Sequence, residues 1–171
     1  AAVPTASTSL SLDRYNAWKL GAKFSTSTPG YGLTVDASQF QTDGARPHSE
    51  AKRGQLNARW QTDLTRDTHL SVVVNALDQP VSLDPIGLKT DQYRNQKPAN
   101  AAALAQDPRK TVRQQQIGLV LTHRLDESTE VSARAYTGAR NLAGALSIPI
   151  GAQTSATTSG GIIEFARVYG G

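Results

Sequence analysis

The sequence predicts an all-β chain, an antiparallel up-and-down meander of about eight strands. Three observations predict it. Apolar residues recur at every second position over most of the chain. Clusters of turn residues divide those runs. The connections between runs alternate, with one exception, between short and long. Successive side chains of a strand point to opposite faces, so strict alternation marks a sheet whose two faces meet different surroundings.

A weak first strand covers about Thr5–Asp13. Trp18, Leu20, Ala22 and Phe24 then share one face, with Lys19, Gly21 and Lys23 between them. Leu33, Val35 and Ala37 alternate with Thr34 and Asp36; Leu56, Ala58 and Trp60 alternate with Asn57 and Arg59. Leu70, Val72, Val74 and Ala76 follow, then Ile117, Leu119 and Leu121, then Val131, Ala133 and Ala135. A second weak strand closes the series at about Gly161–Tyr169. In this phase the first face is apolar in all six clear strands, and the second is polar or glycine except for Val73 and Val120.

Tight turns are expected at Ser27–Gly30, with its Pro29-Gly30 pair, around Asp63–Asp67, and at Asp126–Ser128, all rich in turn-forming residues. Long connections are expected at Thr42–Ala51, Asp78–Arg113 and Asn141–Gly160. Asp13–Asn16 is the exception, a short connection on the long-loop side. Within the longest loop, Asn100 is placed to cap a short helix over Ala101–Gln106, ended by Asp107-Pro108.

Composition narrows the class. Only 38% of residues are hydrophobic and 19% charged, with mean hydropathy −0.40, which is more polar than a soluble globular domain without being highly charged. That balance suits a sheet with one wet face. The net charge of +4 is mild and shows no Lys/Arg run with interleaved aromatics, so nucleic acid is not an expected partner. No cysteine is present, which removes disulfides and thiolate metal sites. No segment approaches the ~18 consecutive apolar residues of a membrane helix, a criterion that does not apply to barrel strands.

Energetic cost then assigns the two faces. The polar face carries Lys19, Lys23, Asp36, Arg59, Glu130 and Arg134. A barrel loses about 2–4 kcal/mol for each Lys or Arg turned to mid-bilayer lipid. Turning half of these six outward would cost roughly 6–12 kcal/mol, comparable to a whole domain's stability. The charged face is therefore expected to line a wet interior and the apolar face to meet hydrocarbon. Tyr15 and Trp18 near the long-loop end, and Tyr31 and Trp60 near the tight-turn end, suit the two membrane interfaces. Short turns at one end and long loops at the other match an outer-membrane barrel. The alternative is a soluble eight-stranded barrel of the lipocalin kind, with the apolar face inside, binding a small ligand.

Several stretches carry a resemblance. Phe40–Asn57 reads FQTDGARPHSEAKRGQLN, an acidic-Gly strand end, an Arg/His/Ser loop and an Arg-x-Gln-Leu-Asn strand. Asn75–Pro80, Asp84–Thr90, Asp107–Lys110, Arg113–Leu119, Ser159–Gly161 and Tyr169–Gly171 continue it in order. The series resembles the front part of the barrel of a TonB-dependent receptor of the siderophore kind, over nearly the whole chain, residues 1–171. The resemblance implies a barrel of about 22 strands around an N-terminal plug. It implies uptake of an iron–siderophore or similar scarce solute across a bacterial outer membrane, energised in the full-length receptor by the TonB system. Against that pattern this sequence shows no plug domain, no TonB box and only about strands one to eight, so a partial barrel is expected.

The candidate ligand residues follow from charge and position. The long loop and its flanks are net basic, and basic groups above a basic lumen would focus an anionic solute. Arg46, His48, Tyr93, Arg94 and Arg109 are the loop candidates; Arg59 and Arg134 are the lumen candidates. His48 is expected to be a solvated loop residue, and His69 and His123 to sit at strand ends near the tight turns. No histidine pair has metal-ligand spacing and no Gly-x-Ser-x-Gly elbow is present, so neither a metal, a cofactor nor an enzymatic activity is expected.

Overall fold

The computed structural model describes residues 3–95 and 98–145, and the backbone of 153–169. It is one eight-stranded antiparallel sheet in the order β1-β2-β3-β4-β5-β6-β7-β8. The strands are β1 (Thr5–Asp13), β2 (Ala17–Thr28), β3 (Tyr31–Thr42), β4 (Ala51–Thr65), β5 (Thr68–Ser82), β6 (Arg109–Arg124), β7 (Thr129–Ala145) and β8 (Gln153–Tyr169). Two short helices, α1 (Thr90–Arg94) and α2 (Ala101–Gln106), interrupt the β5–β6 connection. Every strand pairs with its neighbours in sequence, and β1 and β8 each pair on one side only among the described residues.

The register turns the sequence alternation into two continuous surfaces. Directly paired residues share a face. Phe24 stands opposite Val35, Val35 opposite Ala58, Ala58 opposite Val74, and Val74 opposite Ile117. One row further, Leu33, Trp60, Val72, Leu119 and Ala135 line up in the same way. The other face aligns Lys23, Asp36, Asn57, Asn75 and Gln116. A slip of one residue at any ladder would mix the two sets, so the pattern itself pins the register. Phe40 falls on the polar face, where the Arg53 guanidinium opposite it lies 5.8 Å from the ring centre.

Among the described residues nothing covers the apolar surface. Leu20, Phe24, Leu56, Trp60, Ile117, Leu119 and Leu121 are all exposed, between 37% and 50% of their full area. The buried apolar side chains among the described residues are Ala103 and Val112, both towards the loop end. Along β3, Tyr31 and Gln41 (the partner of Trp18) are ten residues apart, ~33 Å of strand at ~3.3 Å per residue. A tilt of ~40° would bring that to about 25 Å, the height of a membrane barrel's apolar band.

The turns and the capped helix lie where they were expected. Pro29-Gly30 joins β2 to β3, with Gly30 at φ +76°. Arg66-Asp67 joins β4 to β5, and Leu125–Ser128 joins β6 to β7. The Asn100 side chain accepts from the Ala102 amide at 3.0 Å and starts α2 at Ala101. The helix stops at Asp107, which adopts the left-handed conformation ahead of Pro108.

Two long connections are shorter than expected. β5 runs on to Ser82 and β6 begins at Arg109, so the loop is 83–108 rather than Asp78–Arg113. Asp78 and Arg113 stand directly opposite in the ladder, 3.5 Å apart at Oδ1 and Nε. The last connection was expected over Asn141–Gly160, but β7 continues to Ala145 and β8 starts at Gln153. Both errors have one cause: the ladder bonds are main-chain bonds, and polar stretches such as Gln153–Gly160 pair without showing apolar alternation. Residues 96–97, 146–152 and 170–171 lie outside the described residues, and with them Lys97 and the end of the Tyr169–Gly171 motif.

At the tight-turn end, Asp126 accepts hydrogen bonds from the Ser128 amide and hydroxyl, both at 2.9 Å. These bonds, the backbone one first, hold its carboxyl below the usual aspartate range. A carboxyl depressed in the folded state adds order above its unfolded value of about 3.9, and that order is lost as pH falls through the lower folded value. The Ser128 amide should therefore keep its protection from neutral pH to about 5 and lose it only below about 4; in Asp126→Asn this acid step should be absent, as amide exchange at Ser128 would report.

Candidate functional site

The long connections gather at one end of the sheet and lock together. In the β1–β2 turn both central residues are left-handed, Tyr15 at φ 63° and Asn16 at φ 52°. The turn carries the next loop: Asn16 Nδ2 donates to Asp43 Oδ2 at 2.6 Å, and the Asp43 backbone amide donates to the Tyr15 carbonyl at 2.9 Å. The exception to the long–short alternation is thus a support for its neighbour.

The β3–β4 and β5–β6 loops are joined by four further contacts. The Leu83 amide donates to the Glu50 carbonyl at 3.0 Å, and Arg46 Nη2 donates to the Ile86 carbonyl at 3.1 Å. His48 Nε2 lies 3.1 Å from the Pro108 carbonyl and 3.4 Å from Asp107 Oδ1. Asp107 also meets the Arg109 guanidinium. The long loop folds back on itself as well, through the Asp84 amide to the Pro108 carbonyl at 2.9 Å and Asn100 Nδ2 to the Gly87 carbonyl at 2.8 Å.

This geometry redistributes the expected site residues. Arg46, His48 and Arg109 come together, but as a clasp between loops. The His48 side chain is only 10% exposed, which corrects the expectation of a solvated histidine; the backbone turns left-handed at φ 67° and tucks the ring between the loops. Tyr93 and Arg94 sit on α1, exposed, and their side chains make no hydrogen bond or ion pair among the described residues. Arg59 and Arg134 are elsewhere, exposed on the polar sheet face towards the tight turns.

The charge expectation also changes. Residues 83–108 carry Asp84, Asp91 and Asp107 against Lys89, Arg94 and Lys97, so the loop itself is balanced. The basic excess belongs to the root of β6, in Arg109, Lys110 and Arg113. Among the described residues no group of three or more His, Asp or Glu side chains could hold a metal ion.

Replacing His48 with alanine removes the side chain that ties Pro108 and Asp107 to the β3–β4 loop. About 1 kcal/mol of local stability should be lost. Amide exchange at Leu83 and Asp84 should quicken about fivefold, while the central strand amides stay unchanged.

One histidine contact is not legible from the spacing of residues along the chain. Asp63 Oδ1 contacts His69 Nδ1 at the tight-turn end. The two stand opposite each other across the Arg66-Asp67 turn, next to an irregularity between Asp63 and Thr65. Pairing β4 with β5 outward from that turn would set Leu64 against His69; the irregularity brings Asp63 there instead, so sequence positions alone give only an interfacial histidine. His123 makes a cross-strand contact to β5, Nδ1 to Thr68 Oγ1 at 2.9 Å.

No protein-family model matches the chain.

Proposed function

We propose that this chain is part of an outer-membrane receptor barrel of the TonB-dependent kind, serving uptake of an iron–siderophore or similar scarce solute. The observation that carries the reading is the uncovered apolar face, continuous over the paired strands from Leu20 to Ala135, with the charged residues in register on the other side. A water-soluble sheet would bury such a face under a second layer, because exposed apolar patches of this extent mark a membrane or a partner. Hydrocarbon satisfies it at no cost, and the lumen receives Lys19, Lys23, Arg59 and Arg134. The asymmetry of the two ends supports the same orientation, with the clasped loops outside the cell and the tight turns on the periplasmic side. In this reading the exposed α1 tip, with Tyr93 and Arg94, meets the solute first, and the clasp of Arg46, His48 and Arg109 holds that tip in place. The motif series from Phe40 to Gly171 supports the receptor family, and the open edges of β1 and β8 suit a sheet continued by further strands.

Refolding tests the membrane face. The chain should reach a β-rich, monodisperse state in detergent or lipid and precipitate without it. Spin labels at Leu20, Val72 and Leu119 should be reached by a lipid-soluble quencher and shielded from an aqueous one. A monodisperse β-protein in plain buffer, with those three sites packed inside, would overturn the proposal in favour of a lipocalin-like barrel.

A further inference from the structure

We infer that the polar face holds a second solute site, at the tight-turn end, suited to a small hydroxycarboxylate. A cavity of about 300 Å³ lies there, at the lower end of the size range of small-molecule sites. Its chemistry comes from Arg59, Gln61, Asp63, His69, Ser71 and Thr122. The register explains why they converge from three adjacent strands. His69 stands opposite both Asp63 and Thr122, and Ser71 opposite both Gln61 and Val120.

Two groups set the ligand class. The first is Arg59, whose side chain makes no ion pair or hydrogen bond among the described residues. A guanidinium offers paired N–H donors whose spacing matches a carboxylate. The second is His69. Its Nδ1 faces the Asp63 carboxylate oxygen, which accepts its hydrogen. That leaves Nε2 for the ligand, suited to a hydroxyl, which can both donate and accept. A guanidinium beside a ring nitrogen fits one molecule carrying both a carboxylate and a hydroxyl group. The amide of Gln61 and the hydroxyls of Ser71 and Thr122 can meet the remaining oxygens.

The site is remote from the loop clasp. Arg59 lies eight residues along β4 from Ala51, ~26 Å at ~3.3 Å per residue. It also does not depend on how the sheet is housed; in a receptor barrel it would lie within the lumen, below the loops.

Titration calorimetry on the full chain, in whichever of detergent or buffer keeps the sheet folded, separates this inference from the membrane proposal. L-malate should bind at one site per chain. Succinate, which lacks the hydroxyl, should bind about fivefold more weakly, the worth of one hydrogen bond. Arg59→Gln should weaken malate about tenfold or more, and His69→Phe should make malate and succinate equal. Arg14→Gln, in the β1–β2 turn at the far end of the sheet, should leave malate binding unchanged. No saturable malate binding, equal affinity for malate and succinate in the parent chain, or full affinity in Arg59→Gln would overturn the inference. Should a variant fail to refold, the His69 ring resonances of the parent chain decide: they should shift on adding malate and not on adding chloride, and an unmoved ring would refute the site.

Discussion

Ile117→Arg should cost about 2–4 kcal/mol of folding stability in a lipid bilayer, and almost nothing in water. Ile117 lies in the row of Phe24, Val35, Ala58 and Val74, midway between the levels of Trp18 and Tyr31, where a barrel in the bilayer would be farthest from water. An arginine there must shed its hydration or drag water and headgroups inward. The residue is 42% exposed, so no packed core is broken by the change. A soluble protein would take the same substitution within about 0.5 kcal/mol, as it takes most surface changes. The matched variant is Asn57→Arg, which places the same cation on the other face, beside Asp36. It should be neutral in either medium. Equilibrium unfolding in lipid vesicles, comparing the two variants, reads the difference directly; equal stability would refute the assignment of the apolar face to hydrocarbon.

The second large effect concerns the loop end. Gly44 has φ +78°, where a side chain is strained, and a Cβ there would fall on the Ser49 hydroxyl. That hydroxyl accepts from the Arg46 amide at 3.1 Å and donates to the Arg46 carbonyl. Gly44→Ala should therefore cost about 1–3 kcal/mol of local stability. It should also shift Arg46 away from the Ile86 carbonyl and loosen the clasp at His48. Exchange of the Arg46 and Leu83 amides should rise together, whereas the ladders from β4 to β7 should keep their protection. Gly87→Ala in the neighbouring loop is the control, since a Cβ there meets nothing within 4 Å. Coupled exchange at both loops in Gly44→Ala, absent in Gly87→Ala, would establish that the two loops move as one unit.

What the sequence determined by itself is local. Period two follows from strand geometry alone, so the two faces, the six clear strands, the Pro29-Gly30 turn and the helix capped by Asn100 were all readable from neighbouring residues. Strand ends in polar stretches were not. Arg109–Gln116 and Gln153–Gly160 carry little apolar alternation, and their strand state comes from main-chain bonds to a partner that is distant in sequence or weakly patterned. The site residues divide along the same line. Arg59 and Arg134 are placed on the polar face by alternation. The burial of His48, its contacts with Pro108 and Asp107 some 60 residues on, and the meeting of Arg59 with His69 in one hollow depend on register and loop path, which only the tertiary structure decides. A side chain's facing is set by its own backbone, whereas its partners are set by where the rest of the chain is held.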